Sequence, residues 1–202
     1  MTAATPGRRG RPGHDLASVV ATSVTVFNVR GYDGTSMDDL ARRLRISKSA
    51  IYHHVPGKQA ILALALDEAL ASLESAADEV LRIQGPAVDR LETLIRRSVS
   101  GLVERLPYVT LLLRVRGNSV VERRALARRR RIDELVAQLV KEAVAEGDLR
   151  ADTDPAVTAR LLFGMVNSLT EWLKPTRGTT PQQLAAAICA MAFDGLRVRR
   201  PD

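Results

Sequence analysis

The chain has 202 residues, of which 46% are apolar, so it is long enough to bury a core as one mid-sized domain or as a small domain beside a larger one. Its single cysteine excludes an internal disulfide and predicts a reducing, cytoplasmic setting. No stretch reaches the roughly 18 consecutive apolar residues of a membrane span, and no apolar segment follows the basic start, so we expect neither a membrane helix nor a signal peptide. Alanine and leucine dominate and no segment alternates with a period of two, which predicts an all-α fold.

The positive charge is concentrated near the amino-terminal end. The formal net charge is +7; residues 1–58 contain nine Lys and Arg against four acids, whereas the remaining residues contain 21 against 19. A basic excess in one part of a chain is the electrostatic footprint of a nucleic-acid-binding module.

Residues 1–13 are rich in Gly, Pro, Ala and Thr and are predicted to form a flexible basic arm. Within it, Arg9-Gly10-Arg11-Pro12 resembles the core of AT-hook peptides, whose two arginines lie along a narrow minor groove. Arg9 and Arg11 are therefore candidate DNA contacts. A plain solubilising tail accounts for the composition equally well, and the sequence leaves both interpretations open.

Three helices are predicted after the arm. An apolar stripe runs from about residue 14 to Val29 and is closed by Gly31. Ser36 is a good N-cap, with Asp39 placed three residues later to complete a capping box, and it begins a short amphipathic helix. Ser47 is the next N-cap, and the helix that follows presents small or hydrogen-bonding residues without an acid. This composition is typical of a recognition helix that enters a major groove.

The stretch from Gly31 to Leu62 resembles the helix-turn-helix of the TetR family of bacterial regulators. Arg45 and Ile46 stand where that family usually has Gly then Val, and Val55 stands where an aromatic residue is usual. The positions that match are Thr35, Ser36, Leu40, Ala41, Ser47, Lys48, Tyr52, His53, His54 and Lys58.

The resemblance implies a TetR-like all-α fold. Residues 14–57 would form the three-helix DNA-binding domain, and residues 58–202 a larger helical ligand-binding and dimerisation domain that binds a palindromic operator as a homodimer. The helix after Pro56-Gly57 would connect the two domains. The expected DNA contacts beyond the arm are Ser36, Ser47, Lys48, Ser49, Ala50, Tyr52, His53 and Lys58, the last gripping the DNA backbone.

An ordinary helical core and a metal site are both less favoured for this stretch. The two short helices would fit a helical core with a solvated face, but their match to the helix-turn-helix pattern extends over many positions. A metal site at His53 and His54 is not expected, because adjacent helical histidines point about 100° apart and Cys189 is distant in sequence.

Four or five further helices are predicted after Pro86; the first includes Leu106 and is stopped by Pro107, and the last two are apolar on more than one face. One core contact does not need so many apolar positions, so part of this surface is predicted to meet a second copy in a two-fold four-helix interface. The dimerisation candidates are Val157, Leu161, Met165, Leu184, Ile188 and Met191.

The segment from Phe163 to Pro175 resembles a TetR subgroup that controls fatty-acid, steroid and phenylacetate breakdown and often responds to acyl-CoA thioesters. Residues Asn167, Glu171 and Trp172 are candidates for a ligand cavity. Trp172 fits a dimer core equally well. If the effector is an acyl-CoA, its phosphates need cations, for which the candidates are Arg114, Arg116 and Arg160.

The densest basic cluster comprises Arg123, Arg124 and residues 128–131. It either holds an anionic ligand group or is a solvated helix face, with Asp133 and Glu134 as weak surface partners. The solvated face is favoured, because the run wraps around the helix instead of converging on one point.

The sequence therefore predicts a DNA-binding transcriptional regulator. We expect a repressor that leaves its operator when an apolar small molecule binds, and an acyl-CoA is the candidate for that molecule. A repressor of efflux type with a cationic, drug-like effector and an architectural DNA-binding protein are the alternatives. An enzyme is not favoured, since the chain offers few histidines, one cysteine and no glycine-rich turn after a strand. No catalytic residue, metal or cofactor is assigned.

Overall fold

The computed structural model describes residues 15–174 and 179–196, and within these ranges the chain folds into nine α-helices. The arm that contains Arg9 and Arg11 lies outside the described residues. In the part of the chain that is described, no helix has the length and apolarity needed to cross a bilayer. The helices are α1 Leu16–Arg30, α2 Met37–Leu44, α3 Lys48–His54, α4 Lys58–Arg82, α5 Ala87–Glu104, α6 Leu106–Arg114, α7 Val120–Ala145, α8 Pro155–Trp172 and α9 Pro181–Leu196.

The chain divides into two compact units, the first ending at Ile61 and the second beginning at Leu62. The first unit packs α1, α2, α3 and the start of α4 around side chains such as Phe27, Leu40 and Ile51, which are almost completely buried. Its helix limits follow from local signals. The side chain of Asp15 accepts a hydrogen bond from the Ser18 amide at the start of α1, and Gly31, with φ +81°, ends that helix.

The second unit is built around α5. This helix packs against α7, α8 and α9, and Leu91, Leu94 and Ile95 are fully buried at its centre. Helices α4 and α5 approach closely at Gly101, where an added Cβ atom would lie 2.6 Å from the Cβ atom of Ser72. Only glycine permits this crossing without displacing one of the two helices.

The junction between α5 and α6 differs from the sequence prediction. The pattern assigns Leu106 to α5 and treats Pro107 as the stop, whereas α5 ends at Glu104 and Leu106 begins α6. Pro107 thus lies in the first turn of α6. Proline is tolerated there because the amide of a first-turn residue has no partner within its helix.

Candidate functional site

The short helix α3 is held by a cap at one end and by one apolar anchor. The Ser47 hydroxyl accepts a hydrogen bond from the Ala50 amide at 3.1 Å, and Ile51 is fully buried. Lys48, Ser49, Tyr52 and His53 are exposed, and Ala50 is half-buried between them. The helix therefore presents its polar side chains to solvent, which is the arrangement that groove recognition requires.

The turn between α2 and α3 keeps the geometry of a helix-turn-helix without a glycine. Arg45 adopts the left-handed conformation, with φ 57° and ψ 39°, and its amide bonds to carbonyl groups of the last turn of α2. The amide of Ile46 donates to the carbonyl of Ala41 at 3.2 Å. A residue with a Cβ atom is strained in this conformation, so Arg45 costs stability that glycine would not.

Ser36 begins α2 with a complete capping box. Its hydroxyl donates to the Asp39 carboxylate at 2.6 Å and accepts from the Asp39 amide, while the Ser36 amide donates to the same carboxylate at 2.9 Å. Hydrogen bonds from Ser36 and from Arg42 hold the pKa of Asp39 well below its usual range. The Ser36 hydroxyl, a predicted DNA contact, is occupied by this cap.

Lys58, a predicted contact to the DNA backbone, makes hydrogen bonds within the first unit. Its Nζ atom donates to the carbonyl oxygens of Tyr32 and Thr35, both at 2.8 Å, and lies 4.3 Å from the centre of the Tyr32 ring. Two of the three ammonium hydrogens are therefore used within the first unit. Lys58 ties the first turn of α4 to the segment between α1 and α2.

In the second unit, a cavity of about 480 Å³ opens along α7 and α8. Ligand pockets usually have volumes of roughly 300–1,000 Å³. Three arginines, two acids, an aromatic ring and an amide face this cavity: Arg129, Arg130, Arg160, Asp133, Glu134, Phe163 and Asn167.

A smaller chamber of about 40 Å³ lies next to this cavity. Its wall is contributed by five helices, α4 to α8, and is mainly apolar. Arg129, Phe163 and Asn167 contribute to the walls of both spaces.

The predicted ligand residues are only partly brought together. Arg160 and Asn167 line the large cavity, whereas Arg114 and Arg116 lie at the connection between α6 and α7 and line neither space. Glu171 is exposed. Trp172 is 58% exposed and borders a separate surface depression, so it does not share a wall with Asn167.

Neighbouring arginines on α7 have different surroundings, which the sequence alone did not distinguish. Arg128 binds the Glu74 carboxylate through Nε and Nη2, both at 2.7 Å, and also contacts Asp67. This hydrogen bonding lowers the pKa of Glu74 and raises the pKa of Arg128. Among the described residues, the ion-pair partners of Arg128 are thus acids of α4, and the expected pairs with Asp133 and Glu134 do not form.

Arg129 and Arg130, in contrast, line the large cavity. Arg130 is exposed there, as the solvated-face interpretation expects, and Arg129 is half-buried.

The dimerisation candidates separate into core and surface residues. Leu184 belongs to the core of the chain itself, and Met165 and Ile188 are half-buried against that core, so these three contribute little to an outer face. Leu161 and Met191, on the other hand, are 63% and 75% exposed, and Val157 is also exposed.

Comparisons with known proteins agree with this architecture. Residues 19–65 match the family described as bacterial regulatory proteins, tetR family, and residues 84–196 match the tetracyclin repressor-like C-terminal domain. The crystal structure of SCO3833, a TetR regulator from Streptomyces coelicolor A3, is 46% identical with a TM-score of 0.83, over 98% of this chain and 94% of that one. AibR, crystallised with isovaleryl coenzyme A and operator DNA, is 26% identical with a TM-score of 0.72, over 88% of this chain and 97% of that one.

A curated relative matches only over the DNA-binding end. The negative regulator IcaR of the biofilm operon icaADBC, from Staphylococcus aureus (strain Newman), is 37% identical over 43 residues, which is 21% of this chain and 23% of IcaR. A helix-turn-helix unit joined to a helical unit with a cavity defines a ligand-responsive DNA-binding transcriptional regulator. The chain belongs to the TetR family of transcriptional regulators.

Proposed function

We propose that this regulator is a homodimeric repressor that binds a palindromic operator through α3 and is released by an effector with an apolar part and an anionic head, of the acyl-CoA class. The observation that carries the effector proposal is the pair of adjoining cavities, one lined by arginines and the other mainly apolar. Guanidinium groups suit phosphate because their planar forks donate two parallel hydrogen bonds. The similarity to AibR, which was crystallised with an acyl-CoA, supports the same class.

The experiment uses operator DNA selected from a random duplex pool with the full-length protein. Fluorescence anisotropy then follows the complex while acyl-CoA esters, free fatty acids, coenzyme A and cationic drugs are added. Release by acyl-CoA esters alone is expected. Release by cationic drugs alone would instead indicate a repressor of efflux type, although three arginines in the cavity wall repel a cation. Failure of the selection to enrich any sequence would favour an architectural DNA-binding protein.

The homodimer is supported by apolar side chains that the chain itself does not cover. Val157, Leu161 and Trp172 are exposed on α8, and Met191 is exposed on α9 between alanines. Exposed apolar side chains of this size on two adjacent helices are typical of an interface between protein chains.

The test introduces Leu161→Glu and Met191→Glu together, with Val120→Glu on α7 as a matched control at another exposed apolar position. The double variant is expected to be monomeric in light scattering at micromolar concentration and to bind operator poorly. The control is expected to remain dimeric. A monomeric wild-type protein would refute the proposal.

A further inference from the structure

A carboxylate of α2 lies beside α3, although α3 itself contains no acid. Lys48, the first residue of α3, donates a hydrogen bond from its Nζ atom to Oδ2 of Asp38 on α2 at 3.1 Å. Both side chains are exposed, Lys48 to 46% and Asp38 to 66%. The fold therefore adds one negative charge to the exposed polar side chains that α3 presents.

The other acids of the first unit have different surroundings. Asp15 and Asp39 cap α1 and α2, and Asp33 is exposed in the segment between these helices. Within the described part of this unit, Asp38 is the only acid that has a hydrogen bond or an ion pair with a residue of α3. Its position beside α3 is thus a particular feature of Asp38.

The Asp38 carboxylate can accept further hydrogen bonds. Lys48 donates to Oδ2, and Oδ1 accepts no hydrogen bond within the described residues. Asp39, in contrast, accepts from Ser36 and Arg42. Because an ionised carboxylate has about four acceptor positions, Asp38 can accept from a ligand while it keeps its bond to Lys48.

Neither stability nor general affinity for DNA accounts for a carboxylate at this place. An exposed ion pair contributes little to stability, and a negative charge beside DNA phosphates weakens binding to every sequence. Lys48 offsets only part of that repulsion. A carboxylate beside the groove favours binding only where it meets a hydrogen-bond donor on a base, so it makes affinity depend on sequence.

The chemistry of the major groove identifies the base. Guanine presents only acceptors there, and thymine presents an acceptor and a methyl group, so neither can donate to a carboxylate. Adenine has the N6 amino group, but its N7 atom is an adjacent acceptor that repels a carboxylate. Cytosine has the N4 amino group without a neighbouring acceptor on the same base, and it is therefore the base that a carboxylate prefers.

We infer that Asp38 is a specificity-determining residue that accepts a hydrogen bond from the N4 amino group of a cytosine in the operator. Lys48 balances the charge of the carboxylate close to the DNA. This inference rests on one part of the proposed function, the entry of α3 into the major groove. It adds a residue outside α3 and the base that this residue selects in each half-site.

The experiment selects duplexes from a random pool with the full-length wild type and with Asp38→Asn and Asp38→Ala. The wild type is expected to enrich cytosine at one position of each half-site. Asp38→Asn should enrich adenine at that position, because a side-chain amide bonds to both N6 and N7 of adenine. Asp38→Ala should lose the preference. Asp33→Asn removes another exposed acid of the same unit and is the matched control, which should select the wild-type sequence.

Fluorescence anisotropy gives the size of the effect. Replacement of the selected C·G pair by T·A should weaken the wild type roughly tenfold and Asp38→Ala by less than about twofold. Asp38→Ala should also bind random duplexes more tightly than the wild type, because one charge that repels phosphate is absent.

Two reference variants on α3, Ser49→Ala and His53→Ala, separate the possible failures. If either changes the selected sequence while both Asp38 variants select the wild-type sequence, the inference is wrong and recognition through α3 stands. If none of these variants changes the selected sequence, recognition through α3 fails as well. An Asp38 variant with a lower melting temperature and an unchanged selected sequence would show that Asp38 acts only on stability, which also overturns the inference.

Discussion

Replacement of Lys58 by methionine tests how the first turn of α4 is attached to the DNA-binding unit. Methionine keeps most of the unbranched stem but removes the ammonium group that donates to the carbonyl oxygens of Tyr32 and Thr35. Both carbonyl groups then lose the ammonium donor, although the Tyr32 carbonyl still accepts from the Thr35 amide at 3.2 Å, and the contact between the charge and the Tyr32 ring is lost as well. The first unit should therefore open more easily.

The expected cost follows from the two hydrogen bonds. A hydrogen bond to a charged group contributes about 1.5–3 kcal/mol, and the half-buried position of Lys58 allows water to replace part of each bond. We therefore expect the free energy of opening of the first unit to fall by about 2–3 kcal/mol. At about 1.4 kcal/mol per factor of ten, amide hydrogens of α1 and α2 should exchange roughly 30- to 150-fold faster.

Hydrogen exchange of the full-length protein measures this change in stability. The salt dependence of operator binding measures a different property, which is whether the Lys58 ammonium contacts phosphate. A lysine that contacts phosphate lowers the slope of log affinity against log salt by about one when it is removed. Lys58→Met should leave that slope unchanged, because its ammonium is bound to main-chain carbonyl groups. Lys48→Met is the matched control: Lys48 is exposed on α3 and has only a surface pair with Asp38, so it should lower the slope without changing exchange.

The opposite pattern would refute this reasoning. If Lys58→Met lowers the salt slope by about one while exchange in α1 and α2 stays at the wild-type rate, the ammonium binds DNA in the complex and its internal bonds contribute little. The sequence-based expectation for Lys58 would then stand.

Three further changes probe local geometry in the two units. Arg45→Gly should raise the free energy of unfolding of the first unit by about 0.5–1 kcal/mol, measured by denaturant titration, because glycine adopts φ 57° without strain. The pKa of Asp39 is lowered in the folded state, so its stabilising effect is present at neutral pH and is lost as the pH falls below about 4. Asp39→Asn should therefore lower the melting temperature at pH 7 and reduce its dependence on pH below 4; an unchanged acid dependence would contradict this. Glu122→Gln should lower the free energy of unfolding, measured by chemical denaturation, by about 2 kcal/mol, because the buried carboxylate accepts hydrogen bonds from the amides of residues 116–118. An unchanged unfolding midpoint would contradict this role.

Glu122 also shows how a local environment sets a protonation state. Its burial acts to raise the pKa of the carboxyl, but the three amide donors and the Ser119 hydroxyl outweigh burial, and the pKa is lowered. The Ser119 hydroxyl in turn accepts from the Glu122 amide and so caps the start of α7, while it also bonds to the Glu122 carboxylate. The segment between α6 and α7 is therefore fixed by one charged side chain.

Local signals were sufficient to predict most helix limits. Ser36 and Ser47 begin α2 and α3 as capping residues, and Gly31 closes α1. Such signals act over three or four residues, so they can be recognised in the sequence without knowledge of the fold. Pro107 was misread because proline is compatible both with the end of one helix and with the first turn of the next.

Contacts between distant parts of the chain were not predictable in the same way. Lys58 bonds to carbonyl groups 23 and 26 residues earlier, and nothing in the pattern distinguishes a lysine that binds main chain from one that faces DNA. Glu171 and Trp172 were candidates for a cavity because they share a helix with Asn167, and a dimer core was the equal alternative for Trp172. The face of α8 that packs on α5 and α7 turns them outward, and only the packing of those helices decides this.

The arginine run on α7 shows why adjacent identical residues can have different functions. Successive side chains on a helix point about 100° apart, so Arg128 reaches Asp67 and Glu74 on α4 while Arg129 lines both cavities. One turn of α7 is therefore attached to α4 on one side and faces the proposed effector on the other. Because Ala69 and Ser72 of α4 also line the chamber, an effector group bound there would contact the segment of α4 that Arg128 holds. An effector that displaces either helix must work against the Arg128 ion pairs, so these ion pairs set part of the free energy that effector binding has to supply.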